Sequence, residues 1–293
     1  MSKPVVGVIG LGLMGNAIAQ RLIETGHTVA GYDIVAARLA ATAGHGVRPC
    51  GSPAEVAHAS DIVLMSVTST KAVEEVVLGT SGVASAEGLS GKILVDHSTT
   101  EINTTKRVAT ALNRSASMAF VDAPVSGGPA AAASGTLAIM AGGEAAVVAR
   151  IRPVMEQLGR LTHMGSCGAG QATKLVNQTL VLTNYCVLAE ALRLADAYGV
   201  DAKLIPAALA SGHAGSNLLP VLFERMIARD HTPRGYARQV LKDLEMLHEA
   251  ASQHHLAMPM AAQALTLYRL LIAQGKGELD GSAILTLYPE PSG

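Results

Sequence analysis

The sequence predicts an α/β domain with a doubly wound, mostly parallel sheet, followed by an all-helical C-terminal domain. The first prediction rests on apolar runs of strand length that alternate with stretches of helical periodicity up to residue 164. The second rests on the chain from residue 165 onward, where only helical patterns occur. A length of 293 residues suits two domains. We therefore place the domains at 1–164 and 165–293.

The first half reads as repeated β-α-β units, which build an open parallel sheet. Val5–Ile9 is a continuous apolar run that ends in glycines, as buried parallel strands do. Asn16–Thr25 has helical spacing, and Gly26 ends that helix. The elements predicted after it are a strand at Thr28–Tyr32, a short helix at Ser52–Ala59 with Pro53 in its first turn, a strand at Ile62–Val67, apolar runs at Val73–Val77, Ile93–Val95 and Phe120–Asp122 that continue the alternation, and a late strand at Leu137–Ala141.

The second half begins with a glycine-rich turn, Gly165–Gly170. One long helical pattern follows from Gln171 to Tyr198, and its 28 residues would span roughly 40 Å. The remaining predicted helices are Leu204–Ala210, Leu218–Ile227, Arg238–His254 and Ala261–Gln274. Because the long helix is apolar over most of its length, we expect the helical domains of two chains to pair in a homo-oligomer, either a dimer or a tetramer.

Charge and composition exclude several classes of protein. Lys plus Arg number 22 against 23 Asp plus Glu, and the chain has 3% aromatic residues and no Trp. We therefore expect no nucleic-acid partner. The three cysteines form no CxxC pair, which indicates reduced thiols in a cytoplasmic protein. His248-Glu249 would need a His at position 252 to form the HExxH zinc motif, and Ser252 stands there, so no metal site is expected.

We expect neither a secretory signal nor a membrane span. The N-terminal apolar run Val5–Met14 contains Gly7, Gly10 and Gly12, which are poor residues for a signal helix, so we interpret it as the start of the fold. The candidate span Leu175–Ala195 is interrupted by polar and charged residues and falls short of the roughly 18 apolar residues that a membrane helix needs.

A dinucleotide-binding motif stands between the first strand and the first helix. It has the GxGxxG form and consists of Gly10, Leu11, Gly12, Leu13, Met14 and Gly15. The first glycine permits the tight turn, the second admits a pyrophosphate, and the third allows close packing of helix on strand. The helix N-terminus then presents free N–H groups to the anion. This context predicts a Rossmann-type domain.

Asp33 bears on the choice of cofactor. It ends the second strand, 18 residues after Gly15, close to the spacing expected for an acid that binds the adenosine ribose. A carboxylate accepts the ribose hydroxyls of NAD and repels the additional phosphate of NADP. Ile34 follows where an Arg would have helped to bind that phosphate, although Arg38 is near enough to keep NADP open. We expect NAD.

Two further polar groups have more than one explanation from the residues alone. Asp122–Gly128 could be an anion cradle, in which backbone N–H groups converge on a carboxylate, but an ordinary glycine-rich turn explains it as simply. Lys174, Asn177 and Gln178 share one face of the long helix. A buried Lys with a lowered pKa would suit proton transfer, whereas a polar patch between the domains is the simpler explanation. Lys242-Asp243 reads as a surface ion pair.

Taken together, these segments resemble the β-hydroxyacid dehydrogenase family, which includes 3-hydroxyisobutyrate dehydrogenase and tartronate semialdehyde reductase. The resemblance covers nearly the whole chain and follows the family order. The matching segments are Gly7–Gly15, Asp96–Thr99, Asp122–Gly128, Gly165–Gln178 and Lys242–Leu244. The most specific are the Asp-Ala-Pro-Val-Ser-Gly-Gly run and the Gly-x-Gly-x-x-x-Lys-x-x-Asn run.

The resemblance implies roles for individual residues. Lys174 would be the general acid/base on the substrate hydroxyl, and Asn177 would help to hold the substrate. The substrate carboxylate would be bound by Ser126, Gly127 and Gly128, with Gln178 tuning the pocket. The residues expected to contact the cofactor outside the glycine motif and Asp33 are Ser66, Val67, Lys71, Ser98, Thr99 and Lys242.

The expected function is an NAD(P)-dependent oxidoreductase that interconverts a small 3-hydroxycarboxylate and its semialdehyde or ketone. A tartronate semialdehyde reductase or an L-threonate-type dehydrogenase is the alternative within the family. A non-catalytic scaffold that binds a dinucleotide is the alternative from another class, and imine reduction is disfavoured because Lys174 is retained. Two departures from the family matter: Ser66-Val67 replaces the usual Leu-Pro, and Gln178 replaces a frequent Asn.

Overall fold

The computed structural model describes residues 3–290 and divides the chain into two compact units, Met1–Lys174 and Leu175–Gly293. The first unit contains one sheet. Within the described residues its strands are β1 Val6–Ile9, β2 Val29–Tyr32, β3 Arg48–Pro49, β4 Ile62–Met65, β5 Ile93–Asp96, β6 Ala119–Asp122, β7 Val125–Ser126, β8 Leu137–Gly142 and β9 Gly159–Gly165.

The strands are ordered β3-β2-β1-β4-β5-β6-β8-β7, and β9 pairs with β8. From β3 to β6 every pairing is parallel, so the carboxyl ends of these strands lie at one edge of the sheet. The pairings of β8 with β6 and β7 are antiparallel. The strand order reverses between β1 and β4: strands β1 to β3 follow one another towards one edge of the sheet, and strands from β4 onward towards the other. Open α/β sheets bind dinucleotides at this switch point. The predicted doubly wound, mostly parallel sheet is confirmed.

Helices cover the sheet and build the second unit. The α-helices of the described residues are α1 Leu13–Glu24, α2 Ala36–Ala43, α3 Pro53–Ala59, α4 Thr70–Leu78, α5 Ile102–Ala116, α6 Gly128–Ser134, α7 Ala145–Met155, α8 Ala169–Ala197, α9 Ile205–Leu209, α10 Leu218–Ile227, α11 Ala237–Gln253 and α12 Pro259–Ala273. Helix α8 begins in the first unit and continues into the second.

Successive strand residues enter two separate cores, as the period of two in a β-strand requires. In β4, Ile62 and Leu64 belong to one buried apolar cluster, and Val63 and Met65 belong to another. Both faces of the sheet are therefore covered, which explains why its strands are continuous apolar runs.

The second unit has its own core, in which Tyr268 and Phe223 are among the largest fully buried side chains. Arg225 and Asp280 form a buried ion pair there at 2.7 Å. The amide groups of Ser282 and Arg234 and the nearby Arg225 hold the pKa of Asp280 below its usual range, against the opposing effect of burial.

The observed elements differ from the predicted ones where a strand is short or a run is ambiguous. Strands β3 and β7 have two residues each, too few to produce a periodic signal. The run Val73–Val77 lies in helix α4, where Val73 and Val77 are spaced four residues apart and both are buried. Strand β9, at the end of the α/β region, was not predicted.

Candidate active site

The glycine turn after β1 has the shape that a pyrophosphate requires. Gly10 has a φ of +87°, and a Cβ there would collide with the carbonyl oxygen of Ser66. A Cβ on Gly15 would collide with the carbonyl oxygen of Gly10, so helix α1 packs directly against the turn. A Cβ on Gly12, by contrast, would meet no atom within 4 Å, and Gly12 caps α1. The turn thus leaves open space at the helix N-terminus, where a dinucleotide phosphate fits.

Asp33 is hydrogen-bonded to the backbone of this turn. One carboxylate oxygen accepts the backbone N–H of Leu11 at 2.7 Å, and the other accepts that of Val35 at 2.8 Å. The guanidinium of Arg38 lies 3.7 Å from Asp33 and is half exposed. Asp33 is buried, yet each oxygen keeps a second lone pair that can accept a ribose hydroxyl. The residue predicted to bind the ribose therefore also fixes the phosphate turn.

The loop after β4 lies beside the loop after β5. The backbone N–H of Val67 donates to the Ser98 hydroxyl at 2.9 Å, and the N–H of Ser66 donates to the carbonyl of Ile9 at 2.9 Å. Although Ser66-Val67 replaces the family's usual Leu-Pro, this loop still lies against the glycine turn. Lys71 lies in the first turn of α4 and is exposed.

Asp96 organises the loop after β5. Its carboxylate accepts the N–H of Ser98 at 2.8 Å and the hydroxyl of Thr100 at 3.1 Å. Burial raises the pKa of Asp96 to about 6, opposed by these donors and assisted by the neighbouring Asp122. Burial lowers the pKa of His97 to about 4, so the ring is neutral near pH 7 and Nδ1–H donates to the carbonyl of Ala123 at 2.6 Å. The loop that carries Ser98 and Thr99 is thereby fixed at the end of β5, with His97 bonded to the segment after β6.

The segment from Asp122 to Gly128 makes a turn that only glycine accommodates well. Gly127 and Gly128 have φ values of +126° and +72°, which side-chain-bearing residues rarely adopt. A Cβ on Gly127 would lie 2.6 Å from the Cβ of Ala131, whereas a Cβ on Gly128 would meet nothing within 4 Å. Ser126 precedes them in β7 and is half-buried. The backbone beside Gly128 is open to an incoming group.

Lys174 is docked on this same segment. Its side chain is buried, and Nζ donates to the carbonyl oxygen of Val125 at 2.8 Å. The structure therefore brings Lys174 and the Ser126-Gly127-Gly128 segment together within the first unit.

Asp122 anchors the start of the helix that carries Lys174. Its two carboxylate oxygens accept the backbone N–H groups of Gly168 at 2.8 Å and Gln171 at 2.9 Å. Burial raises the pKa of Asp122 to about 6, and these N–H donors oppose the rise. A Cβ on Gly170 would collide with the carbonyl oxygens of Asp122 and Met140, so α8 starts in direct contact with the sheet.

The remaining predicted residues lie in the second unit and form a hydrogen-bonded chain. The amide nitrogen of Asn177 donates to Gln178 at 2.9 Å, and the amide nitrogen of Gln178 donates to Asp243 at 2.5 Å. Lys242 pairs with the same carboxylate at 2.9 Å. Gln178, the departure from the family pattern, is thus the link between Asn177 and Asp243.

Sequence reasoning missed three polar residues of the site, Asp122, Gln171 and Asp243. Each was inside or next to a motif, but its role depends on backbone contacts between distant segments. For Gln171, the one available signal was its position three residues before Lys174, on the same helical face.

Three other observations bear on the expectations. A surface groove of about 640 Å³ beside α3, lined among others by Arg48, Glu55 and His58, contains none of the predicted site residues. No cluster of three or more His, Cys, Asp or Glu side chains that could hold a metal occurs between residues 3 and 290. In that same range no helix combines the length and apolar character that crossing a membrane would require.

Comparison with known proteins identifies the family. A family model described as the NAD binding domain of 6-phosphogluconate dehydrogenase matches residues 5–168. A second, described as NAD-binding of NADP-dependent 3-hydroxyisobutyrate dehydrogenase, matches residues 168–288. The first model spans the open glycine turn, and together the two models confirm the predicted NAD(P) cofactor.

Individual relatives match over nearly their whole length. The chain is 38% identical to 2-hydroxy-3-oxopropionate reductase of Escherichia coli (strain K12), over 96% of this chain and 95% of that protein. It is 35% identical to probable 3-hydroxyisobutyrate dehydrogenase-like 3, mitochondrial, of Arabidopsis thaliana, over 98% and 87%. The crystal structure of 3-hydroxyisobutyrate dehydrogenase from Salmonella typhimurium is similar with a TM-score of 0.88 at 26% identity, over 98% and 100%. The resemblance is confirmed: the chain belongs to the β-hydroxyacid dehydrogenase family of NAD(P)-dependent oxidoreductases.

Proposed function

We propose that the protein interconverts a small 3-hydroxycarboxylate and its semialdehyde or ketone, with Lys174 as the general acid/base. The observation that carries this proposal is the buried amine of Lys174 bound to the carbonyl of Val125, directly before Ser126-Gly127-Gly128. One short segment thus places a proton-transfer group beside a backbone that suits a carboxylate. A β-hydroxy acid has its hydroxyl and carboxylate separated by two carbons, so both groups of one small substrate would lie near this segment.

Lys174 acts in its neutral form when the substrate is oxidised. A bound nicotinamide would supply the hydride chemistry, by accepting a hydride from the β-carbon in oxidation or by returning it in reduction. As the C–H bond breaks, Nζ of Lys174 takes the proton of the hydroxyl group, and a carbonyl group forms. In the reductive direction, the protonated amine returns that proton to the carbonyl oxygen. General acid–base catalysis of this kind contributes about 10²–10⁴-fold to the rate.

Ser126, Gly127 and Gly128 bind the substrate carboxylate in this proposal. The positive φ values of both glycines support it, because such a turn exposes consecutive backbone N–H groups. Asn177, Gln178 and Lys242 belong to the second unit, and their assignment to substrate and cofactor rests on the family likeness.

The glycine turn from Gly10 to Gly15 binds the pyrophosphate, and the loops after β4 and β5 contact the nicotinamide half of the cofactor. We assign these contacts to Ser66, Val67, Lys71, Ser98 and Thr99. Asp33 favours NAD over NADP because a phosphate on the ribose would meet its carboxylate. The half-exposed Arg38 is the group that would accommodate NADP instead.

The substrate is tested with the purified protein, NAD or NADP, and a panel of 3-hydroxycarboxylates that includes 3-hydroxyisobutyrate, glycerate, serine and threonate. Formation of NADH with one acid identifies the reaction, and silence with every acid in spite of NAD binding refutes the proposed chemistry. Tartronate semialdehyde with NADH tests the second candidate. The 38% identity to 2-hydroxy-3-oxopropionate reductase favours that candidate among the alternatives. The non-catalytic scaffold has no support, since the relatives named above are dehydrogenases and reductases.

We further propose a cytoplasmic homo-oligomer, either a dimer or a tetramer. An exposed apolar stripe on α8 supports association, with its members spaced four or seven residues apart and therefore on one helical face. The stripe consists of Val176, Leu180, Val187 and Leu194, and Tyr198 continues it directly after the end of α8. The three cysteines are free thiols, which supports a reducing compartment.

A further inference from the structure

Gln171 uses both ends of its side-chain amide to hold the loop after β5. Its nitrogen donates to the carbonyl oxygen of Ser98 at 2.8 Å, and its oxygen accepts the backbone N–H of Thr100 at 3.1 Å. The residue is 1% exposed. Because a backbone N–H only donates and a carbonyl only accepts, the orientation of this amide is determined by its partners.

The backbone of Gln171 is fixed from a second direction. Its N–H donates to Asp122 at the end of β6. Gln171 thus connects the ends of two neighbouring parallel strands with the first turn of α8. The strand ends are in register, with Asp96 opposite Asp122.

Lys174 follows Gln171 by three residues and lies on the same side of α8. Its amine reaches the carbonyl of Val125, in the segment after β6. A displacement of the first turn of α8 would move this amine relative to both strand ends. Every contact in this arrangement belongs to the first unit.

We propose that Gln171 is a positioning residue that sets the amine of Lys174 relative to the Ser98–Thr100 loop. The proposal rests on the proposed function, in which Lys174 transfers the proton and the loop borders the nicotinamide. Gln171 itself touches neither reacting group. Its contribution is geometric, since a misplacement of about 1 Å can cost a reaction about 10²-fold.

The test uses Gln171→Met and Gln171→Glu, with Thr173→Ala as the matched control. Methionine keeps a similar length but loses both hydrogen bonds. A protonated glutamic acid retains them, because its O–H can donate to Ser98 while its C=O accepts from Thr100. The ionised form loses the donor and repels the Ser98 carbonyl. The Thr173 hydroxyl donates to the carbonyl of Ala169 within the same helix, so its loss leaves the loop in place.

For Gln171→Met we expect kcat to fall by about 10- to 100-fold, while the affinity for NADH stays close to that of the wild type. The primary isotope effect from a substrate deuterated at the β-carbon should rise, because hydride transfer becomes slower than product release. Thr173→Ala should keep the wild-type kcat.

Gln171→Glu gives a readout, the pH dependence of kcat, that a merely structural role of Gln171 would leave unchanged. Its kcat relative to the wild type should be high at low pH and should fall as pH rises through the pKa of the introduced carboxyl group, which burial raises. Gln171→Met should show no such pH-dependent recovery. If Gln171→Met does not fold, Gln171→Glu at low pH still supplies this comparison.

Two results overturn the proposal without affecting the proposed function: a Gln171→Met variant with wild-type kcat and isotope effect, or a Gln171→Glu variant whose pH profile parallels that of the wild type. A wild-type protein that binds NADH but oxidises no acid of the panel refutes the proposed function, and this proposal with it. Hydrogen exchange of the Ser98–Thr100 amides separates failure of the positioning role from failure of the proposed function. If Gln171 holds the loop, the exchange rate should increase in Gln171→Met whether or not the wild type is active.

Discussion

Asp122 makes the stability of the first unit depend on pH. Burial raises the pKa of this carboxyl group from 3.8 to about 6. A group that binds its proton more tightly in the folded chain contributes stability at low pH, and the contribution is lost as pH rises through its folded pKa. Over this interval of about two pH units, at about 1.4 kcal/mol each, the loss is roughly 3 kcal/mol.

Asp122→Asn removes this titration while keeping the size of the side chain. The variant also loses one acceptor for the N–H groups of Gly168 and Gln171, so it should be less stable than the wild type at low pH. The free energy of unfolding of the wild type, minus that of the variant, should therefore fall by roughly 3 kcal/mol between about pH 4 and about pH 7.5. Urea titrations of both proteins across this range measure it.

The exposed Asn113 supplies the control, because Asn113→Ala removes no titratable group and should differ from the wild type by a constant amount over the same range. Asp96 titrates in both the wild type and Asp122→Asn, so its contribution largely cancels from the difference in the free energy of unfolding. The part that remains is the loss of its repulsion by Asp122. A difference for Asp122→Asn that stays constant with pH, or that grows as pH rises, would refute the assignment of a raised pKa to this carboxyl group.

Three further predictions concern the cofactor, the reaction and the assembly. Lys174→Ala should lower kcat by at least about 10²-fold and leave NADH binding intact, and near-normal turnover would remove its assigned role. Gly12→Val should fold normally, because its Cβ has free space, but should bind NADH weakly in a fluorescence titration; unchanged affinity would place the pyrophosphate elsewhere. Leu180→Asp combined with Leu194→Asp should reduce the mass measured by sedimentation equilibrium to that of a monomer, and an unchanged mass would exclude the α8 stripe from the interface.

Much of the fold followed from local pattern. The glycine turn was predictable because each of its glycines answers a local steric demand, seen at Gly10 and Gly15. Helix α3 was predictable because Ser52 caps it and Pro53 occupies its first turn. Strand β7, with two residues, was not, because its pairing with β8 depends on a distant segment.

The polar contacts of the site were less accessible from sequence. Lys174 was identified through its motif, but the contact with Val125 depends on how α8 meets the sheet. Asp33 was assigned to the ribose, and its bond to the N–H of Leu11 became visible only when β2 was placed beside β1. In both cases the sequence indicates the type of residue, while the partner is set by how distant segments pack: helix α8 on the sheet for Lys174, and β2 beside β1 for Asp33.

The most direct test of the account follows deuterium from the substrate to the cofactor. The wild type and Lys174→Ala are each incubated with NAD and the 3-hydroxycarboxylate that the panel identifies, deuterated at the β-carbon, and the NADH formed is analysed by mass spectrometry. The account predicts rapid formation of NADH that carries the deuterium in the wild type, and a loss of at least about 10²-fold in rate with Lys174→Ala. NADH without deuterium, or an equal rate in the variant, would contradict hydride transfer from the β-carbon with Lys174 as the proton acceptor.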